Sequence, residues 1–463
     1  MNTRNTKPNL ARRHFIKTSL GAASALGFPT IIPATALGKG GKAAPSERIR
    51  IGMVACGNRG RAAHEYAAMP DVEVVALADP NAAQIKQLKS HRNLKGKQFK
   101  ETADFRTILN EGIDAVHIAT ADHWHVPALL LAARAGKHAY VEKPLGISVE
   151  QCLACQEIIK EQPGLQIQYG TQNRSTAYVR PALELVLNGH IGDIKKITVW
   201  APGGSEGGSN TPSPAPAGFN LDLWLGPAPV VPYCNDRCNP RSPKGNGIYY
   251  IYDYAIGFVA GWGAHPIDQL QWWLDENGIT IPQEVQATGT FPKAGLFDTM
   301  TGWDSELLYS NGMHIRFADD KSIQKYLPKL EKFRPDSHGT LFEGSEGWVY
   351  CARHSIQASS RELLGKMKNP GKKRLVHSNG GHFRNFIDAI QGKTKPVSGL
   401  ASAIRSDITC HLVDLAARHG GTVGWDNTQQ TITGNHAAKA AMHRPMREPW
   451  NVLNAKYTGI TGA

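Results

Sequence analysis

The stretch Arg48-Ile49-Arg50-Ile51-Gly52-Met53-Val54-Ala55-Cys56-Gly57-Asn58-Arg59-Gly60-Arg61 decides how this chain is read. Its first half is apolar and β-branched in the manner of a parallel strand buried on both faces, and its second half is the glycine turn that leads such a strand into a helix. The turn reads A-x-G-x-x-G, with Ala55 where the first glycine of the dinucleotide fingerprint is expected. Gly57, Asn58, Arg59 and Gly60 are the expected contacts to a pyrophosphate, because glycines let the backbone come close and the helix start aims its amides at the charge. Glycines in strand-to-helix turns also arise for backbone reasons alone.

The residues after the turn strengthen the dinucleotide reading. Val72 to Ala78 reads as a second strand ending at Asp79, about 20 residues beyond the glycines, where an acidic side chain hydrogen-bonds a ribose diol. That carboxylate would repel a 2′-phosphate, so NAD is expected and NADP is less favoured. An aspartate before Pro80 is also a plain turn former.

A chain of 463 residues with 41% hydrophobic composition can bury the cores of two or three domains. From Arg48 to about Gly170 strands and helices alternate, which gives a doubly wound parallel sheet; beyond Thr171 strands follow one another without helices between them, which gives a largely antiparallel one. The expected fold is therefore α/β: a Rossmann domain at 48–172, then an α+β domain at 173–463 with a large, mostly antiparallel open sheet. Pro202 to Gly218 is rich in Gly, Ser and Pro and reads as a loop.

The N-terminus has another character. Arg12-Arg13-His14-Phe15-Ile16-Lys17 precedes an uncharged run from Thr18 to Ile32, and Ala34-Thr35-Ala36 offers a cleavage site. Residues 1–36 are thus expected to be a signal peptide of twin-arginine type and 37–47 a linker, with export to the periplasm or beyond and no stable membrane insertion after cleavage. Residues 1–36 hold five Lys/Arg and no acids, so their removal lowers the formal charge from +13 to +8; the rest is spread along the chain, and its one dense cluster, Lys366 to Arg374, lies in a Gly/Pro-containing loop, so a nucleic-acid partner is not expected. Seven cysteines make no complete disulfide framework. Cys234 and Cys238 could close a small disulfide in an oxidising compartment, and no zinc set is completed, so no metal is expected.

Three strand ends converge on the ligand edge of the first sheet. Thr120-Ala121-Asp122-His123-Trp124-His125 places donors, acceptors and a stacking face there, making Thr120, His123, Trp124 and His125 candidate cofactor contacts. Glu142-Lys143-Pro144 sets a lysine beside the cofactor, where it can hold a substrate oxygen or relay its proton; the plain alternative is a surface ion pair ahead of a proline. Tyr169-Gly170-Thr171-Gln172-Asn173-Arg174 adds amides and a cation, with Gln172 toward the nucleotide and Asn173 and Arg174 toward a sugar. In the second domain Gly261-Trp262-Gly263-Ala264-His265-Pro266-Ile267-Asp268 opens a helix. The helix's positive end would keep His265 neutral and proton-accepting, and Asp268 one turn on could orient its ring. A buried histidine satisfied by backbone is the structural alternative.

Together these segments, with Ala135-Gly136-Lys137-His138, Leu223-Trp224-Leu225-Gly226-Pro227, Gly344-Ser345-Glu346-Gly347 and Trp425-Asp426, resemble the Gfo/Idh/MocA family, named for glucose-fructose oxidoreductase and inositol dehydrogenase. The resemblance spans the mature chain and extends to the family's exported, twin-arginine branch. It implies hydride transfer between a nicotinamide and a sugar, polyol or related carbinol, and a homo-oligomer, dimer or tetramer, built through the open sheet. It also implies catalytic roles for Lys143, as the lysine of the E-K-P signature, and for His265. Some members carry an aspartate four residues before that histidine; here the position is Gly261, with Asp253 or Tyr254 as possible substitutes near the substrate. Because free NAD is scarce outside the cytoplasm, a retained and recycled cofactor is one expectation. The alternatives are an NAD-dependent glycosidase acting through transient oxidation and elimination, and a periplasmic carbohydrate-binding protein without catalysis.

Overall fold

Ile51, Met53 and Val54, shielded on both faces, make β1 (Ile49–Val54) the centre of a six-stranded sheet. Around it lie β2 (Val72–Ala78), β3 (Lys100–Thr102), β4 (Ala115–Ile118), β5 (His138–Val141) and β6 (Ile167–Tyr169), in the order β3-β2-β1-β4-β5-β6. Every neighbouring pair is parallel. The strand order reverses between β1 and β4, and in sheets of this kind the crevice outside those strand ends receives the ligand. The computed structural model describes residues 43–239, 247–329 and 333–453, so the twin-arginine leader and most of the linker lie outside the described residues. Ahead of Ile49 the described residues hold one turn of 3-10 helix, Pro45–Glu47; Ile49 begins the compact unit that carries both sheets.

The turn after β1 is tight. Ala55 adopts φ +75°, a left-handed conformation that costs a residue with a Cβ about 1–2 kcal/mol. Gly60 lies so close beneath that a Cβ on it would stand 2.3 Å from the Ala55 carbonyl oxygen, whereas a Cβ on Gly57 would meet nothing within 4 Å. The second glycine of the motif thus faces open space and the third packs helix against strand, as a phosphate cradle requires.

The second sheet comprises β7 (Ile194–Ala201), β8 (Glu284–Thr290), β9 (Gly302–Leu308), β10 (His314–Asp319), β11 (Gly339–Gly344), β12 (Trp348–Cys351), β13 (Ile356–Ala358), β14 (Thr422–Asp426) and β15 (Thr431–Thr433). Their order is β13-β12-β11-β7-β10-β9-β8-β14-β15; β7 and β10 run parallel and the other pairs antiparallel. Helix Ala264–Glu276 packs on β7 and β11 and against helix Leu400–Arg418, and every residue from Ala264 to Leu274 is buried.

Two late helices return to the first sheet. Phe386 and Ile387 of helix His382–Ile390 pack with Tyr140 of β5, and Gln168 Nε2 of β6 donates to the His382 carbonyl at 2.7 Å. Helix Leu400–Arg418 packs against helix Val149–Glu161 on one side and β8 on the other, so its apolar residues join both halves into one core. The expected disulfide is not formed: Cys238 follows a helical turn, its amide bonded to the Cys234 carbonyl at 3.1 Å, and both thiols are buried and free.

Candidate functional site

At the crevice outside β1 and β4 lies a cavity of about 360 Å³, lined by Gly57, Asn58, Arg59, Asp79, Thr120 and Trp124 among others. Asp79 closes the end of β2. Its Oδ2 accepts the Cys56 amide and its Oδ1 the Asn81 amide, both at 2.8 Å, and burial pushes its pKa up to about 6 against those two bonds. The outer wall comes from the second domain. Ala82 N donates to the Gly218 carbonyl at 3.0 Å, Asn220 N to Pro80 O at 2.7 Å, and Trp124 Nε1 to Leu223 O at 3.2 Å. Residues 218–224 thus form a strap across the Asp79 turn, and Phe219, Trp224, Tyr249 and Trp450 complete the enclosure. An open glycine cradle, a carboxylate at the second strand's tip and flat aromatic walls fit a dinucleotide.

Beyond the cavity, Glu142 at the end of β5 gathers its neighbours. Its Oε1 accepts Arg59 Nε at 2.8 Å and Gln172 Nε2 at 3.0 Å, while its Oε2 is buried without a partner. Gln172 also donates to the Tyr140 hydroxyl at 2.7 Å. Arg59 therefore reaches from the glycine turn to the E-K-P loop and links the phosphate end of the site to its reactive end.

Lys143 Nζ donates to the Gly261 carbonyl oxygen at 2.5 Å. Gly261, which has no carboxylate to offer, thus contributes its backbone, and it anchors the lysine of one domain to the turn that opens the histidine helix of the other. Burial lowers the Lys143 pKa, opposed by Asp122 and Glu142; burial likewise raises Asp122, whose Oδ2 has no partner.

His265 is held from the second domain. Its Nε2 lies 3.0 Å from Arg353 Nη2, and since a guanidinium can only donate, Nε2 is an acceptor and the ring proton sits on Nδ1, which is buried without a partner. Burial, then the charges of Lys143 and Arg353, push its pKa well below the ordinary histidine value. The ring is neutral as expected, chiefly through burial and nearby cations.

Several expected site residues have structural duties instead. Asp268 does not orient His265: its two carboxylate oxygens take Arg174 Nε and Nη2 at 2.6 Å each, with both side chains at most 3% exposed. Arg174 is accordingly withdrawn from any substrate. Tyr254 is fully buried and accepts Arg237 Nη1 at 3.0 Å, and Asp253 points to solvent. His125 meets the Pro144 and Thr120 carbonyls at 2.6 and 3.1 Å, and His123 Nε2 meets Trp224 O at 3.2 Å; neither ring lines the cavity, because both are buried as struts beneath it. Asn173 stays in the site, its Oδ1 accepting Arg353 Nε at 2.9 Å. Cys152, Asp407 and His411 bring three potential ligand atoms within 4.8 Å, but the Asp407 carboxylate is already taken by the amides of Leu145 and Gly146.

Comparison with known proteins agrees with this geometry. A family model described as an oxidoreductase family, NAD-binding Rossmann fold, matches residues 49–170, and its partner model, the C-terminal alpha/beta domain, matches 179–452. The WlbA dehydrogenase of Bordetella pertussis, solved with NADH and UDP-GlcNAcA, is similar at TM-score 0.57 and 16% identity over 82% of this chain and 99% of that one. The myo-inositol 2-dehydrogenase of Lactobacillus plantarum is similar at TM-score 0.52 and 16% identity over 81% and 99%. At such identities the likeness is one of fold. An alpha-N-acetylgalactosaminidase of Shewanella oneidensis is 30% identical over 164 residues, 31% of this chain and 36% of that protein. The chain therefore matches only about a third of the length of these curated relatives, and the first domain is an NAD-binding one.

Proposed function

The chain belongs to the Gfo/Idh/MocA oxidoreductase family, and from that premise we propose that it oxidises or reduces a carbinol carbon of a sugar or polyol, with His265 as general base and Lys143 holding the reacting oxygen. The observation that carries this reading is the junction of Lys143 Nζ with the Gly261 carbonyl, which sets the lysine of the NAD domain beside the helix that bears His265. Bound NAD would supply the hydride acceptor. A neutral imidazole takes the hydroxyl proton, an assistance typically worth about 10² to 10⁴ in rate. Lys143 stabilises the charge developing on oxygen. The strap over the Asp79 turn supports a retained cofactor, the Arg12-Arg13 leader supports export, and the open nine-stranded sheet supports assembly into a dimer or tetramer.

A panel of sugars and polyols, followed at the reduced-nicotinamide absorbance band, tests the reading. Lys143→Met should keep NAD binding and abolish the signal, and undiminished turnover in that variant would overturn the role given to the lysine. The similarity of about a third of this chain to an alpha-N-acetylgalactosaminidase favours a second reading, in which transient oxidation breaks a glycosidic bond. Release of phenol from an aryl glycoside without net NADH would select it.

A further inference from the structure

We propose that the substrate carries a carboxylate, as a hexuronate or an aldonate does, and that Arg353 is its receptor. The inference rests on the sugar-oxidising reading and adds the substrate class. Arg353 follows β12 and is half-buried at the reactive end of the site. Among the described residues no carboxylate pairs with it: it donates through Nε to Asn173 Oδ1 at 2.9 Å and through Nη2 to His265 Nε2 at 3.0 Å, both neutral groups. The other guanidinium of the site, Arg59, already has Glu142 at 2.8 Å. Burial and then the charge of Arg59 lower the Arg353 pKa, against the charge of Glu142, which no hydrogen bond joins to it.

More polar atoms without partners lie around it. Asn173 Nδ2 and both ring nitrogens of His338 are buried without partners, and the Trp262 ring lies 5.9 Å from the Arg353 guanidinium carbon and 5.1 Å from the His338 ring. One fork with a free edge matches a carboxylate in two parallel bonds.

The arrangement has a second effect. In the ligand-free site Arg353 occupies the Nε2 lone pair that His265 needs in order to act as a base. A carboxylate drawing the guanidinium toward itself would release that lone pair, so an acidic substrate both binds through Arg353 and uncovers the base, whereas a neutral sugar does neither.

Thermal shift of the NAD-loaded protein with a panel of hexuronates and aldonates, their neutral counterparts and hexose 6-phosphates tests this directly. At least one sugar acid should raise Tm with a half-saturating concentration at least tenfold below that of its neutral counterpart. Arg353→Met should abolish the difference and Arg353→Lys should restore part of it, with each ligand-free variant first shown to melt cooperatively. Equal shifts for acids and neutral sugars, no shift with any acid, a preference for the phosphates, or an unchanged preference in Arg353→Met would each overturn the proposal. Acid binding through Arg353 with no nicotinamide reduction by any sugar would sink the redox reading alone. Reduction by neutral hexoses with no acid preference would sink the carboxylate assignment alone.

Discussion

The carboxylate of Asp407, on a helix of the second domain, accepts the backbone amide of Leu145 in the first at 3.0 Å. Its other oxygen accepts the Gly146 amide at 3.0 Å, and Cys152 Sγ and His411 Nε2 lie beside it at 3.1 and 3.4 Å. The loop that carries Lys143 is therefore held from across the domain boundary by a fully buried anion. Burial would raise the Asp407 pKa, but hydrogen bonding to His411 and the charge-assisted amide bonds outweigh it and leave the pKa lowered.

Asp407→Ala should cost about 3–5 kcal/mol in urea unfolding, because it strands two buried amides, and it should lower kcat more than NAD affinity. A folded-state pKa below the unfolded one contributes stability that is complete above about pH 4 and is lost as pH falls through the folded value. The wild-type margin over Asp407→Asn should therefore shrink on acidification below that point. A margin unchanged between pH 7 and 3 would contradict the assignment.

Burial pushes the Asp79 pKa up to about 6, and ribose hydroxyls bind its ionised form better. NAD affinity should accordingly rise with pH through 6 and level off above 7, changing by up to about tenfold per unit on the steep limb. Calorimetric titration of Asp79→Asn should show weaker binding without that limb.

His265 is kept neutral by burial and by the charges of Lys143 and Arg353, so it remains an acceptor at acidities where an ordinary histidine has protonated. The acid limb of kcat/KM should fall well below pH 6.5 in the wild type. In Arg353→Met, which removes one of those charges, the limb should move up in pH; a limb that stays in place would mean that another group controls it.

Ala55 carries a left-handed backbone that glycine adopts without strain. Ala55→Gly should leave NAD binding intact and raise stability by about 0.5–1 kcal/mol, the relief of strain less the added chain entropy. Gly60→Ala puts a methyl group 2.3 Å from the Ala55 oxygen and should abolish NAD binding. Thermal melts and the same calorimetry check both.

The first domain was legible because its signals are local. Buried runs such as Val72 to Ala78, glycine stops at Gly112 and Gly136, and an acid at the end of β2 all appear within a few neighbours of one another. Pairing partners are not local, which is why β3, three largely exposed residues held by β2, left no pattern to find. The chemistry divides in the same way. Lys143 and His265 stand in recognisable segments, but nothing in Cys351-Ala352-Arg353-His354 announces a guanidinium against a catalytic ring. Conversely, the His123-Trp124-His125 segment reads as ligand-facing until the carbonyls that meet its two imidazoles are located.

The strap at residues 218–224 fastens backbone to backbone across the Asp79 turn, and those two bonds must break for the two halves of the molecule to part there. If the redox carrier is retained as proposed above, it would have to be regenerated in place from a second reactant admitted to the same chamber.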